Sequence, residues 1–318
     1  MKKLYFICNL HSGKNIMRGK LANVVDTFTK AGYEVVVRPT QARMDACSAA
    51  EYACLEGSYD LIVCSGGDGT LNEVVQGLMH SEKPLPVGYI PCCSTNDFAR
   101  GLRIPMEIEA AAEWLMCGHL YHCDVGAFNQ RYFLYIAAFG AFTSTVYETP
   151  QNIKNALGHA AYLLHAMSQV PNIRPFHLKV EYDGQVLEDD YLFGMVTNTA
   201  SVGGILKLKS FMLDDGTFEV MLIRKPARTI DLQHTLRALL NIDEDMDRTY
   251  VQFFRASHLR FFSNEEIFWT LDGEYGENTR YAEITNYHRA IPLCIGDTSI
   301  QNNDPVDVLQ QEGDASGQ

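Results

Sequence analysis

The chain has 318 residues, of which 47% are hydrophobic and 20% charged, and its formal net charge at pH 7 is −13. That length gives room for about two domains with real cores, and the composition excludes a globally disordered chain. The acidic balance excludes nucleic acid as a partner, since that affinity comes from Lys and Arg neutralising phosphates. It also gives no general pull towards anionic lipid, leaving KLKS (207–210) and RKPAR (224–228) as the only local basic clusters of note.

The first 125 residues alternate strand and helix patterns. KLYFICN (3–9) reads as a short buried strand, and Leu21, Val24, Val25 and Phe28 follow at i, i+3, i+4 and i+7, one face of a helix. YEVVVRPT (33–40) is a second strand, and 44–56 is a small-residue helix ended by Gly57. YDLIVCSGG (59–67) is a third strand, with Leu71, Val74, Val75 and Leu78 repeating the helical spacing behind it. LPVGYIP (85–91) is a fourth, and Ile108, Ala111, Ala112, Leu115 and Met116 mark a further helix. This alternation predicts an α/β domain over 1–125, a parallel sheet with helices on both faces. Ligands of such sheets sit at the carboxyl ends of the strands.

From 126 to 289 the pattern becomes strand-like, in RYFLYIAAFG, FHLKVEYDGQVLEDDYLFGMVTNT, SFMLDDGTFEVMLIR, VQFFRASHLRFFS and EIFWTLDGE. Turn dipeptides such as Asp183-Gly184 punctuate it, and helical stretches around 152–169 and 229–240 interrupt it. A β-rich second domain is expected there. AIPLCIG (290–296) is another strand and a candidate to return to the first domain. The acidic, polar tail 301–318 reads as disordered.

Nine cysteines without a CxxC, several inside apolar runs, suit reduced thiols in a cytoplasmic protein rather than a disulfide framework. The apolar run in MKKLYFICNLHSGK is too short for a secretory leader and breaks at Asn9. No uninterrupted apolar stretch of about 18 residues is present to span a membrane.

The strongest chemical signal is CSGGDGTLNEVVQGL (64–78), where a strand runs into Gly66, Gly67, Asp68, Gly69 and Thr70 and a helix begins at once. Glycines let backbone N–H groups approach a phosphate, and the helix N-terminus adds roughly half a positive charge there. A plain βα turn with Thr70 as N-cap is the simpler reading, but three glycines around an acidic residue exceed what a turn requires. Asp68 would repel phosphate unless Mg2+ lay between them, so the motif hints at a metal–nucleotide ligand. The absence of GxxxxGK[ST] and GxGxxG excludes a P-loop and a dinucleotide fingerprint.

Three other strand ends reach the same edge: NLHSGKN (9–15) with Asn9, Ser12, Gly13 and Lys14, then Thr40, then STNDFAR (94–100). LDDGTFEV (213–220) and LDGEYGE (271–277) add acidic turns that, each alone, read as plain hairpins. CGHLYHCD (117–124) gathers possible zinc ligands, but strand alternation sends His122 and Asp124 to one face and Cys123 to the other. Those residues are expected to be linker-strand residues. The remaining histidines show no ligand spacing.

Together these segments resemble the diacylglycerol kinase catalytic-domain family, in particular its soluble bacterial lipid kinases. Sphingosine kinases are members too, and NAD kinases and phosphofructokinases are more distant relatives that share GGDG. The resemblance runs from NLHSGK to LDGE in order and spacing, and GGDGTLNEVVQGL followed by TNDFARGL is specific to the lipid-kinase branch. It implies an NAD-kinase-like first domain, a β-sandwich second domain and ATP in the cleft between them. Carried over by position, nucleotide contacts would fall on Asn9, Ser12, Gly13, Lys14, Thr40, Gly66, Gly67, Asp68, Gly69, Thr70, Asn72 and Thr95. Asp68 and Asp97 would organise the catalytic Mg2+, and a structural Mg2+ would map to Asp215 with the carbonyls of Met212 and Thr217. Glu274 matches the general base, and Lys14 would offset phosphate charge.

The implied activity is ATP- and Mg2+-dependent phosphorylation of a lipid hydroxyl, with diacylglycerol the favoured acceptor and a sphingoid base behind it. Competing readings are a non-catalytic nucleotide or lipid sensor and an NAD-kinase-like enzyme. The implied partners are nucleotide, lipid and, transiently, a membrane surface; a homodimer is compatible with an exposed sheet edge. Two departures stand out: Leu10 replaces the family's Pro, and Cys93 and Ser94 replace its Gly-Thr. A left-handed backbone at Cys93 would cost about 1–2 kcal/mol, Leu10 loosens a turn that Pro would pre-set, and the two changes are expected to lower ATP affinity or alter the nucleotide preference.

Overall fold

The structure, a computed structural model, describes residues 1–93, 96–140, 174–198, 201–202, 206–207, 212–226 and 249–296. The expected helices around 152–169 and 229–240, Thr95, part of both basic clusters and the tail from Gln301 lie outside them. The chain divides into two compact units, Met1–Val125 with Ser210–Asp215 and His288–Gln318, and Gly126–Lys209 with Gly216–Tyr287. Met212 and Asp215, expected in the β-rich domain, therefore belong to the first unit.

In the first unit the elements run β1 (Lys2–Cys8), α1 (Ile16–Lys30), β2 (Tyr33–Pro39), α2 (Asp45–Glu56) and β3 (Leu61–Gly66). They continue with α3 (Asp68–Met79), β4 (Val87–Pro91), α4 (Asp97–Gly101), α5 (Ile108–Met116) and β5 (His119–Phe128), which enters the second unit at Gly126. The strand order is β2-β1-β3-β4, every neighbour parallel. Leu293, in the last strand of the chain, pairs in parallel with Val87 on the far side of β4. β3 and β4 are buried at every residue, so both sheet faces must be covered. The helices do this in pairs, α1 with α5 and α2 with α3.

The helical spacing read from the sequence translates into burial. Leu71, Val74, Val75 and Leu78 of α3 are all buried, as are Val24 and Phe28 of α1. The Phe28 ring meets Phe6 edge-on at 5.4 Å between centroids. Each such side chain contributes about 1.5–3 kcal/mol on leaving water. α2 presents Ala46, Ala49, Ala50 and Ala53 to the interior and ends at Gly57 in a left-handed conformation. Its close approach to α3 depends on Gly77, where a Cβ would stand 2.3 Å from the Cys47 carbonyl oxygen.

The second unit holds β6 (Arg131–Phe133), β7 (Ile136–Gly140), β8 (Phe176–Tyr182), β9 (Gln185–Thr197), β10 (Ser201–Val202) and β11 (Leu206–Lys207). After these come β12 (Phe218–Arg224), β13 (Val251–Ala256), β14 (His258–Leu271) and β15 (Glu274–Ile295), whose end from His288 belongs to the first unit. The pairings here are antiparallel, in the order β13-β12-β9-β7-β14-β15, with β8 beside β9 and β14. Among the described residues parallel pairing is thus confined to the first unit's strands. Asp183 and Gly184, at φ 45° and 74°, make the two-residue turn between β8 and β9 that their sequence predicts. The core is aromatic: Trp269 lies 4.7 Å from Phe139, 5.0 Å from Phe128 and 5.1 Å from Phe261, ring to ring. Among the described residues no helix is long and apolar enough to cross a membrane.

Candidate active site

Parallel strands bring their carboxyl ends to one edge, and the register shows which loops meet there. Cys8 lies opposite Ser65 and Pro39, and Gly66 opposite Pro91. Backbone bonds carry the ladder one step beyond the strands: Asn9 N donates to Ser65 O at 2.8 Å, Thr40 N to Cys8 O at 3.0 Å, and Cys92 N to Gly66 O at 2.8 Å. Asn9 then reaches across the β3–α3 turn, its Nδ2 donating to Thr70 Oγ1 at 3.3 Å. Asn9, Thr40 and Thr70 are brought together by these contacts.

The first loop closes onto the fourth. Ser12 precedes a single 3-10 turn, Gly13–Asn15. Gly13 has φ +53°, and a Cβ on it would fall 1.5 Å from the Cys92 carbonyl oxygen. Only glycine fits there, for both conformation and space. Lys14 sits in that turn, its side chain outside what is described.

The β3–α3 turn is built for close approach. Gly66 is shut against Thr70, whose Oγ1 would be 2.5 Å from a Cβ, and Gly67 against Cys93, whose Sγ would be 2.6 Å from one. Gly67 stands at the N-cap of α3 in extended conformation and supplies no side-chain cap. Within that first turn the Thr70 and Leu71 N–H groups donate to Gly67 O at 3.0 and 3.1 Å, and a helix N-terminus favours an anion. This fits a phosphate. Asn72 lies one turn into α3, its Oδ1 accepting from Gln76 Nε2 at 3.2 Å.

Asp68, the first residue of α3, turns its carboxylate to the next loop: Oδ2 accepts the backbone N–H of Asp97 at 2.9 Å. Asp97 is itself the first residue of α4. The Asp68 carboxylate and the Asp97 backbone thus tie together the starts of α3 and α4.

The loop between them is held by Asn96 rather than by its cysteines. Asn96 Oδ1 accepts from Cys93 N at 3.1 Å, its Nδ2 donates to Cys93 O, and Tyr89 Oη donates to Gly66 O at 3.2 Å and Asn96 Oδ1 at 3.4 Å. Among the described residues of the loop Asn96 is left-handed, φ 47°, and its type tolerates that conformation. Cys93 is not among the positive-φ residues, so the expected strain at Cys93 does not arise. Burial pushes the Cys92 thiol up to about 11, the Ser65 hydrogen bond lowering it in part, and burial pushes Cys8 up to about 12. Both are protonated, unreactive wall. All nine cysteines are free.

The segment carrying Met212 and Asp215 is tied down by residues that the sequence pattern undervalued. Asp124 is fully buried; its backbone N donates to Leu213 O at 2.7 Å, and its Oδ1 accepts from Arg289 N at 2.7 Å and His288 Nδ1 at 3.1 Å. Asp214 accepts the Tyr121 hydroxyl at 2.5 Å and pairs with Arg289 at 3.1 Å. Desolvation, and after it the Asp214 hydrogen bond, hold the Tyr121 phenol well above its ordinary range. Along β5, His122 is exposed whereas Cys123 and Asp124 are both buried, because the strand passes from partial to full cover at Cys123. Asp215 and Met212 sit in this braced segment, and Thr217 follows directly in the second unit.

In the second unit Glu274 opens β15, exposed, after a two-residue turn of Asp272 (φ 50°) and Gly273 (φ 79°). Asp272 is 3% exposed, and its carboxylate accepts the N–H groups of Leu134 (2.8 Å), Tyr135 (2.9 Å) and Ile136 (3.1 Å). Its own N–H donates to Ile136 O at 2.8 Å. Sequence reasoning had assigned Asp272 only to a generic turn. It is the anchor that fixes where Glu274 emerges.

Residues 3–128 match the diacylglycerol kinase catalytic domain, and residues 138–291 match the YegS C-terminal NAD kinase beta sandwich-like domain. These two matches, on this fold, define a two-domain chain of the kinase class, with an α/β first domain and a sandwich-like second one. The chain is 37% identical to the diacylglycerol kinase of Bacillus subtilis (strain 168) over 297 residues, 93% of this chain and 97% of the relative. It is 35% identical to the diacylglycerol kinase of Staphylococcus haemolyticus over 289 residues, 91% of this chain and 86% of the relative. A crystal structure of a diacylglycerol kinase from Bacillus anthracis str. Sterne shares the fold, with a TM-score of 0.74 at 22% identity over 94% of this chain and 98% of that one. The chain belongs to the diacylglycerol kinase family.

Proposed function

We propose that this protein transfers the γ-phosphoryl group of ATP, with Mg2+, to the hydroxyl of a lipid, diacylglycerol first among acceptors. The observation that carries the reading is the Asp68–Asp97 link at 2.9 Å, set beside the uncapped N-terminus of α3. It ties the start of α3 to that of α4 at one strand edge, which supports reading that edge as the place for phosphate and Mg2+. Mg2+ supplies charge neutralisation on the transferring phosphoryl group when bound. Phosphoryl transfer asks chiefly for positioning and charge neutralisation, and this edge offers both.

Within that reading the backbone N–H groups at Asp68 and Gly69 hold phosphate, Asn9 and Thr70 fix the turn, and Asp68 and Asp97 hold the metal. Asp215, with Met212 and Thr217, holds a second, structural Mg2+. Glu274 accepts the proton of the lipid hydroxyl, and the Asp272 anchor limits where its carboxylate can go. A general base within about 3 Å of such a poor acid is worth roughly 10²–10⁴ in rate. A sensor has no use for that base, which favours an enzyme. An acceptor that lives in a bilayer requires transient contact with a membrane surface.

The deciding experiment incubates purified protein with labelled ATP–Mg2+ and vesicles containing diacylglycerol or a sphingoid base, with NAD in a separate arm. Labelled phosphatidic acid is the expected product. Label in the sphingoid lipid alone would move the acceptor, label in NAD would move the class, and no labelled product would leave the sensor reading in its place.

A further inference from the structure

A cluster of potential ligands lies outside this edge, on the far part of the α2–α3 pair. Cys47 and Glu51 stand at i and i+4 on α2, one face of the helix. His80 caps the end of α3. Gly77, one turn before His80, is where α3 comes within contact of the Cys47 backbone, so close packing of the two helices sets His80 beside Cys47 and Glu51. Cys47 Sγ lies 3.7 Å from Glu51 Oε1, and His80 Nδ1 lies 2.6 Å from the same oxygen. One ligand atom from each of the three falls within 4.8 Å of the others, the only such group among the described residues.

We propose that Cys47, Glu51 and His80 form a zinc site with Sγ, Oε1 and Nδ1 as ligands and water in the fourth position. Zn–S bonds of about 2.3 Å and Zn–N and Zn–O bonds of about 2.0–2.1 Å in a tetrahedron place neighbouring ligand atoms roughly 3.3–3.6 Å apart. The sulfur–oxygen separation already meets that. The oxygen–nitrogen pair has to open by under about 1 Å, which Glu51 and His80 can do because their side chains are 37% and 48% exposed. On ligation the Cys47 proton leaves to solvent and sulfur binds as thiolate. Thiolate and carboxylate then balance the dication, and the neutral imidazole donates from Nδ1. Without a cation, burial and the neighbouring Glu51 and Glu73 carboxylates push the Cys47 thiol up to about 12. A soft thiolate with imidazole and one carboxylate selects zinc over the Mg2+ of the phosphate edge. The bound ion would clamp α2 to the end of the helix whose start is Asp68.

The test is competition of chelator-stripped full chain with a chromophoric zinc chelator, with Co2+ as a spectroscopic substitute. The expected result is one tight equivalent of zinc and a thiolate-to-Co2+ charge-transfer band. Both should be lost in Cys47→Ser and in His80→Ala, with affinity falling by more than the roughly 10–100-fold that loss of an outer partner costs. His80 is half exposed, so His80→Ala reads the site even if Cys47→Ser fails to fold. Absence of tight zinc in the wild type overturns the proposal and leaves a hydrogen-bonded trio. So does an equivalent that survives in His80→Ala, which would place zinc elsewhere, for instance among Cys117, His119 and His122.

Discussion

The strand edge of the first unit and the hairpin of the second hold their chemical groups by opposite means. At the edge, position comes largely from the backbone: strand ladders continue one residue past Cys8, Pro39 and Pro91, and Gly13 lets one loop rest on the next. Side chains add local ties there, Asn96 to Cys93 and Asp68 to the Asp97 N–H, so the support is spread over several contacts. In the hairpin one buried carboxylate, Asp272, gathers three N–H groups and so fixes the turn from which Glu274 projects. A distributed support tolerates the loss of one contact; a concentrated support does not.

The largest effect expected is chemical. Glu274→Gln keeps the size and exposure of the side chain but removes the base, so turnover should drop by about 10²–10⁴ while ATP binding is unchanged. Turnover near wild type would remove Glu274 from the mechanism and with it the functional half of the comparison. Next comes the anchor. Asp272→Ala leaves three buried N–H groups without their acceptor, and about 3 kcal/mol of unfolding free energy should be lost in denaturant titration. Glu274→Gln should leave that midpoint where it is. Equal melting behaviour of the two variants would mean that the hairpin, like the edge, is held by many contacts.

A smaller effect, with a definite sign in pH, belongs to the edge. Cys8 and Cys92 have folded-state values raised from 9.0 to about 12 and about 11. Below pH 9 both thiols are protonated folded or unfolded, and their contribution is whole. Between 9 and 11 the unfolded chain loses protons that the folded chain keeps, so stability falls by about 1.4 kcal/mol per pH unit for each thiol. In Cys92→Ser the alkaline slope should therefore be shallower than in wild type. An unchanged slope would mean that Cys92 is not desolvated behind Ser65.

How much of this was legible in the sequence depends on the reach of each signal. The four first-unit strands, the α3 face and the glycine turn at 66–69 are local patterns, and each stands where its residues predict. The anchors are not local. Asp272 finds Tyr135 across 137 residues, Asp124 finds Arg289 across 165, and His80 finds Glu51 across 29. A single acidic letter in LDGE or HCD does not say which backbone amides will surround it. His80 carries no spacing signal towards Cys47, because the spacing is made by Gly77 and an alanine face. Cys93 shows the converse: family likeness suggested a strained backbone, whereas the left-handed position is one that Asn96 already suits.

That shift of strain from Cys93 to Asn96 yields the finest distinction. Gly13→Ala puts a methyl group into the Cys92 carbonyl at a positive φ, a conformation that alone costs about 1–2 kcal/mol, so ATP affinity should fall by roughly tenfold. Cys93→Gly relieves no backbone strain; it only removes the sulfur that lies against Gly67. Its KM for ATP should stay within about twofold of wild type, less than one-third of the 1.4 kcal/mol that a tenfold change requires. A KM lowered tenfold would show that the sulfur narrows the space over the glycine turn. The edge would then depend on one side chain after all, and its difference from the Asp272 hairpin would be one of degree.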